Sequence, residues 1–281
     1  MLPPGLVRRV VREALEEDVG PRDVTSESVI GEAVRGRGVL LAKQELVVAG
    51  LDACVTAFRL RDTAVVWEPR RAEGERAAAG DVLGALSGGA RGLLSAERVA
   101  LNFLQRLSGI ATLTRRFVDA VAGTRARIRD TRKTTPLLRF LEKHAVEVGG
   151  GMAHRSGLDA AILVKDNHVR LAGSVGEAAR RALRGAAGLP VEVEVDSPAQ
   201  VEEALAAGVP LVLLDNFTPE QVREAVALVH GRAQIEVSGG VRLDNVRAYA
   251  EAGPDYIAVG ALTHSAPAVD ISLEIAPEPP K

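Results

Sequence analysis

Hydrophobic spacing along the chain separates two kinds of pattern. Near the start, Leu6, Val7, Val10, Val11 and Leu15 recur at helical intervals, and Gly20-Pro21 stops the helix they predict. Val39-Leu40-Leu41, Val47-Val48 and Val65-Val66-Trp67 read as short strands, with a helix over residues 52–60 between the last two. From Glu73-Gly74 through Gly80-Asp81-Val82-Leu83 to Gly88-Gly89, the turn residues are those of a small sheet. Residues 95–121 become helical again, with a break predicted near Ser108-Gly109. This opening stretch, residues 1–107, reads as an α+β unit.

After Gly123 the pattern changes to short apolar runs alternating with helices. Strands are predicted at 126–129, 160–164, 191–195, 211–214, 234–237 and 256–259. Between them Thr218-Pro219-Glu220-Gln221 places Thr at an N-cap, Pro at the first helical position and Gln at the third, and Gly231 closes that helix. Asp196-Ser197-Pro198 opens another, which Gly208 ends. Six such units with near-continuous apolar strands imply a parallel sheet covered by helices, either doubly wound or a barrel. Each run ends in a reactive or phosphate-friendly group. A doubly wound sheet gathers such groups at one switch point, so six contributing strands favour a barrel. The barrel is placed at residues 108–275, and Ala276-Pro-Glu-Pro-Pro-Lys281 reads as a frayed tail.

Composition narrows the class. The 281 residues carry a formal net charge of −2, which argues against a general nucleic-acid coat or a polybasic membrane anchor. Cys54 has no partner for a disulfide. The opening Met1-Leu-Pro-Pro-Gly5 lacks the pattern of a signal peptide, and no apolar run approaches the ~20 residues of a bilayer span. The expectation is a cytoplasmic globular protein with no nucleic-acid or membrane partner. The charge is unevenly placed: residues 98–170 hold 11 Arg and 3 Lys against 6 acids. A basic segment inside a mildly acidic chain points to compact anionic ligands.

Several side chains are candidates for that chemistry. The turns Ser238-Gly239-Gly240 and Gly260-Ala261 follow the last two strands, where barrels commonly bind phosphate. Lys165 stands where an apolar strand meets the site, and could hold an anion or form a Schiff base with a carbonyl. Glu194 and Asp215, on adjacent strands, could neutralise neighbouring cations or hold Mg²⁺, a hard ion suited to carboxylates and substrate phosphates. His154, His168 and His264 lack zinc-ligand spacing. Arg132-Lys133, His154-Arg155 and Arg98 complete the cations; Arg can clamp a carboxylate through two bonds, whereas Lys acts as a point charge. Arg98 and Arg106 lie on the helical stretch before the barrel.

Over nearly its whole length the chain resembles the quinolinate phosphoribosyltransferase family. The resemblance is carried by Glu97-Arg-Val-Ala-Leu-Asn-Phe103 with Ser108-Gly-Ile-Ala-Thr112, and by Asp130-Thr-Arg-Lys-Thr-Thr-Pro136. Gly149-Gly-Gly151 with His154-Arg155, Lys165-Asp-Asn-His168, Glu192-Val-Glu-Val-Asp196, Leu214-Asp-Asn216 and Ser238-Gly-Gly240 complete it. Leu137-Leu138 stands where a Gly often follows that Pro in the family.

The resemblance implies an N-terminal α+β open sandwich domain and an incomplete, seven-stranded α/β barrel, in a homodimer or higher oligomer. Arg98 would reach quinolinate from the partner subunit. Arg132, His154, Arg155 and Lys165 would surround the pyridine dicarboxylate, Lys133 would meet the pyrophosphate of phosphoribosyl pyrophosphate, and Thr131 would be a further substrate-binding residue. Glu194 and Asp215 would serve the ribose hydroxyls and Mg²⁺; Ser238, Gly239, Gly240, Val259, Gly260 and Ala261 would take the 5′-phosphate. Lys133, Lys165, Glu194 and Asp215 are the expected catalytic groups. Three other readings stay open: a Schiff-base lyase or aldolase using Lys165, an inactive phosphosugar-binding relative, and a nicotinate-using transferase without decarboxylation.

Overall fold

The structure is a computed structural model that describes residues 2–278. The chain divides into two compact units. One holds the described residues up to Arg115, with Thr135–Gly150 and the described residues from Ser265 onward; the other holds Arg116–Thr134 and Gly151–His264. Both differ from the contiguous spans 1–107 and 108–275 read from the sequence.

The chain opens with α1 (Pro4–Val19) and α2 (Val24–Val29), followed by β1 (Arg35–Ala42), β2 (Leu46–Val47), α3 (Leu51–Arg61) and β3 (Val66–Pro69). Next come β4 (Arg76–Ala77), β5 (Val82–Gly89) and the 31-residue α4 (Ala90–Ala120). Val7, Val10, Val11 and Leu15 form the buried stripe of α1, which packs on α3. The predicted break at Ser108-Gly109 does not occur; α4 runs straight through it. These two residues serve a docking role instead. Ser108 Oγ accepts the Ala49 N–H and donates to the Ala49 carbonyl, both at 3.0 Å. A Cβ on Gly109 would lie 2.1 Å from the Pro267 carbonyl oxygen, so only glycine lets that backbone approach.

The remaining elements are β6 (Arg127–Arg129), α5 (Arg139–Val148), β7 (Ile162–Val164), α6 (Asp166–Ala172), α7 (Val175–Gly185), β8 (Val191–Val195) and α8 (Pro198–Ala206). Then follow β9 (Leu211–Asp215), α9 (Pro219–Val229), β10 (Gln234–Ser238), α10 (Val246–Glu251), β11 (Tyr256–Ala258), α11 (Ala261–His264) and β12 (Ile271–Pro277). In the first unit β12, β1, β5 and β3 form one antiparallel sheet, and β2 pairs with β4. The predicted frayed tail therefore begins as strand. Ala276 and Pro277 pair with Arg37 and Gly36, because buried Ile271 and Leu273 anchor β12 on the sheet. Residues 279–281 lie outside the described residues.

The second unit is an all-parallel sheet in the order β6-β11-β10-β9-β8-β7. All six predicted strands are present within a residue or two of their predicted limits. The first of them, β6, pairs with the last, β11, which is the connectivity of a barrel rather than of a doubly wound sheet. The seven-stranded count is corrected to six among the described residues. Where a seventh strand would stand, on the far side of β6, there is a single parallel bridge between Met152 and Arg129. After Gly149-Gly150-Gly151 the chain makes that bridge and then turns away, carrying His154 and Arg155 into the site. Capping follows the sequence closely. Thr218 and Gln221 form the reciprocal box on α9, which ends at Val229 with His230 left-handed before Gly231.

Candidate active site

Strand alternation determines which side chains face inward. Glu192 and Glu194 share one face of β8, Leu213 and Asp215 one face of β9, and Glu236 and Ser238 one face of β10. Register aligns these faces: Glu194 stands beside Leu213, Leu213 beside Glu236, and Asp215 beside Ser238. At the C-terminal ends of these strands lies a cavity of about 370 Å³. Of the sequence candidates, Thr131, Arg132, Lys133, His154, Arg155, Lys165, Glu194, Asp215 and Ser238 line it. Leu163, Leu213, Glu236 and Ala258 complete the wall.

Gly239, Gly240, Val259, Gly260 and Ala261 are not among the lining side chains. The first four form the turns that follow β10 and β11, and Ala261 opens α11. Gly239 has φ +95°, and a Cβ there would lie 2.2 Å from Asn216 Oδ1. Gly260 lets the Lys133 side chain pass, with Cδ 3.2 Å from where a Cβ would sit. Arg98 is an exposed residue of α4, in the other compact unit, and does not line this cavity.

Local hydrogen bonds hold the loops in shape. Lys133 N–H donates to Thr131 Oγ1 at 3.1 Å, and Thr263 Oγ1 donates to the Lys133 carbonyl at 2.8 Å. Lys165 is the N-cap of α6; its N–H donates to His168 Nδ1 at 2.9 Å, which makes His168 a cap. The Lys165 ammonium is paired with the Glu194 carboxylate. Arg155 Nη1 donates to the Ala161 carbonyl at 3.0 Å, and His154 N–H to Asp130 Oδ1 at 2.7 Å.

The electrostatics are divided. Burial, and next to it the charge of Arg132, lowers the pKa of the Arg155 guanidinium. Burial raises the Asp215 carboxyl, and repulsion from Glu194 adds to it, while Lys165 and Lys133 oppose both. Glu194 and Asp215 are thus two hard oxygen donors in mutual repulsion that a divalent cation would relieve, a donor set that fits Mg²⁺. They also border a second cavity of about 450 Å³ with Asp166 and Asp196.

Reading the sequence residue by residue missed the cavity floor. His154, Glu192 and Glu236 bring one donor atom each within 4.8 Å of one another, a grouping that no spacing in the chain displays. Burial pushes Glu192 up to about 7 against the pull of Arg129, Arg155 and Lys165. Glu236 also rises to about 7, from burial and then from Glu192 beside it, against Arg129 and His154. The available signal was an acid inside an apolar run, as in Val191-Glu-Val and Ile235-Glu-Val237, since burying an unpartnered carboxylate costs too much to be incidental.

Fold and cavity together define a barrel-like α/β enzyme whose site gathers Arg132, Lys133, Arg155 and Lys165 beside two carboxylates. A family model described as quinolinate phosphoribosyl transferase, N-terminal domain, matches residues 23–108, and its C-terminal counterpart matches residues 110–274. The chain belongs to the quinolinate phosphoribosyl transferase family. The nicotinate-nucleotide pyrophosphorylase (carboxylating) of Mycobacterium leprae is 44% identical over 276 residues, covering 95% of this chain and 96% of that one. The probable nicotinate-nucleotide pyrophosphorylase (carboxylating) of Bacillus subtilis is 41% identical over 271 residues, 96% of this chain and 93% of that one. The crystal structure of NadC from Streptococcus pyogenes matches with a TM-score of 0.95 at 40% identity, covering 99% of both chains.

Proposed function

We propose that this enzyme transfers the phosphoribosyl group of phosphoribosyl pyrophosphate to the ring nitrogen of quinolinate. Pyrophosphate leaves in that transfer, and loss of CO₂ and uptake of a proton at C2 then give nicotinate mononucleotide. One observation carries the reading: Arg132, Lys133, Arg155 and Lys165, from three stretches of chain, meet Glu194 and Asp215 around a single cavity. Both reactants are anions, and that arrangement matches two of them side by side.

In this mechanism Arg132 and Arg155 grip the pyridine carboxylates through parallel hydrogen bonds, and Lys165 adds charge beside them. Lys133 attracts the pyrophosphate as it departs. Glu194 and Asp215 stabilise the positive charge that develops at C1′ of the ribose, and they are the residues that would hold Mg²⁺. When bound, that ion neutralises charge on the leaving pyrophosphate. The ring nitrogen attacks C1′ and becomes a pyridinium, which accepts the electron pair left at C2 when the adjacent carboxylate leaves as CO₂. The chain's share is orientation and fixed charge, which can remove roughly 7–11 kcal/mol of barrier.

Lys165 meets a carboxylate partner as an ammonium ion, which disfavours the Schiff-base reading, since that needs a free amine. The retained cation set disfavours an inactive relative, and two arginines in the cavity favour a dicarboxylate over nicotinate. The deciding experiment measures CO₂ and pyrophosphate release with quinolinate or nicotinate as acceptor, in the presence of phosphoribosyl pyrophosphate and Mg²⁺. Turnover of quinolinate alone supports the proposal, and turnover of nicotinate or of neither acceptor ends it. Lys133→Ala and Glu194→Ala should each lose more than about tenfold in kcat/KM while staying folded.

A further inference from the structure

Four buried or half-buried groups at the cavity floor have no part in the steps above: Arg129, Glu192, Glu236 and the imidazole of His154. Their geometry is specific. His154 Nδ1 accepts the backbone N–H of Arg155 at 2.7 Å, so the ring proton sits on Nε2. That atom lies 3.0 Å from Glu192 Oε2 and 3.5 Å from Glu236 Oε1. Both ring nitrogens are therefore spent on the protein, and only 8% of the side chain is exposed. Glu236, with no exposed side-chain surface, accepts from Arg129 Nη1 on its other oxygen. The Arg129 guanidinium in turn lies 4.6 Å over the centre of the Tyr256 ring.

The chain of contacts runs in one direction. Tyr256 on β11 supports Arg129 on β6, and Arg129 fixes the carboxylate of Glu236 on β10. Glu192 receives the His154 Nε2–H while the Glu236 carboxylate lies beside it, and His154 holds the backbone of Arg155. Arg155 leaves this anchored backbone to reach the cavity, its guanidinium steadied further by the Ala161 carbonyl. A clamp on a planar dicarboxylate works only if its guanidinium is held within a fraction of an ångström, which is the task of such supporting contacts.

Resting on the proposed function, we infer that Glu236 and Glu192, braced by Arg129, are positioning residues that set the tautomer and orientation of His154 and thereby aim Arg155. His154 is then itself a positioning residue and makes no hydrogen bond to the acceptor through its ring. This revises the role that the sequence suggested for it. The Glu236 carboxylate accepts from Arg129 on Oε2 and turns Oε1, which accepts no hydrogen bond, toward the His154 Nε2–H at 3.5 Å. Glutamine has one acceptor oxygen; with that oxygen on Arg129 its NH₂ group faces the Nε2–H donor, so Glu236→Gln must disturb either the Arg129 brace or the placing of the His154 ring.

Two measurements test the inference. The first records imidazole ¹⁵N shifts of His154 in the unliganded wild-type protein at neutral pH and after quinolinate is added. The neutral ring with its proton on Nε2, unchanged by quinolinate, is expected; the opposite tautomer, an imidazolium, or a direct change at either nitrogen on binding overturns it. This readout needs no turnover, so it stands apart from the fate of the proposed reaction. The second compares kinetic constants of Glu236→Gln with wild type. KM for quinolinate should rise about tenfold while KM for phosphoribosyl pyrophosphate stays within about twofold. Unchanged quinolinate KM, or an equal rise in both, rejects the positioning role.

Discussion

Leu137 occupies backbone that L-residues avoid, with φ +66°, and its side chain is 76% exposed. It directly follows the Asp130–Pro136 motif. A left-handed conformation costs an L-residue roughly 1–2 kcal/mol, and glycine gives back part of that gain through its freer unfolded chain. Leu137→Gly should therefore raise stability by up to about 1 kcal/mol, read as a higher urea midpoint at unchanged slope. The position beside the motif was visible in the sequence, whereas the backbone strain was not, because no local pattern reports φ. His154 teaches the converse. A histidine beside an arginine in a cationic segment reads as a ligand contact, yet the fold engages both of its ring nitrogens with protein groups.

At the level of elements, prediction worked where a local signal and the final packing agree. The six parallel strands stood out because both of their faces are covered, giving continuous apolar runs bounded by turns. Ser108-Gly109 was misread because a small-residue pair weakens a helix by propensity, whereas here it admits a close backbone neighbour. The two effects predict opposite outcomes for one substitution. Gly109→Ala in an ordinary helix would stabilise by about 1 kcal/mol. With a Cβ placed 2.1 Å from the Pro267 carbonyl oxygen, it should instead destabilise by about 1–3 kcal/mol, measurable by thermal unfolding. β12 escaped notice for another reason. Its partner is β1, near the other end of the chain, and a seven-residue segment running into Pro and Glu carries little signal by itself.

For the whole molecule, the acid pair at the cavity floor couples stability to pH. Both carboxyls titrate near 7 in the fold, well above the ordinary glutamate value of 4.5, which the unfolded chain restores. Between those values the native state binds more protons than the unfolded state, so stability falls as pH rises through that window. Denaturation midpoints should drop between pH 5 and pH 7.5 by more in wild type than in a Glu192→Gln, Glu236→Gln double variant. An equal drop in both proteins would remove the pair from the account. Among the described residues no helix is long and apolar enough to cross a membrane. In the homodimer that the family resemblance implies, Arg98 of one subunit would reach the cavity of the other. Mixing Arg98→Ala with Lys133→Ala subunits should then restore part of the activity that each variant lacks, once subunit exchange is demonstrated.

The order of apolar and polar residues determined the parallel strands, their helix caps, the basic segment and most of the side chains around the cavity. These depend on periodicity, turn chemistry and charge, which are properties of neighbouring residues. Tertiary structure alone decided that β12 forms an edge of the first sheet, that the parallel sheet of the described residues holds six strands and one flanking bridge, and that Glu192 and Glu236 meet His154. Those outcomes depend on which strands lie side by side and in what register, and that is settled by packing between residues far apart in the chain.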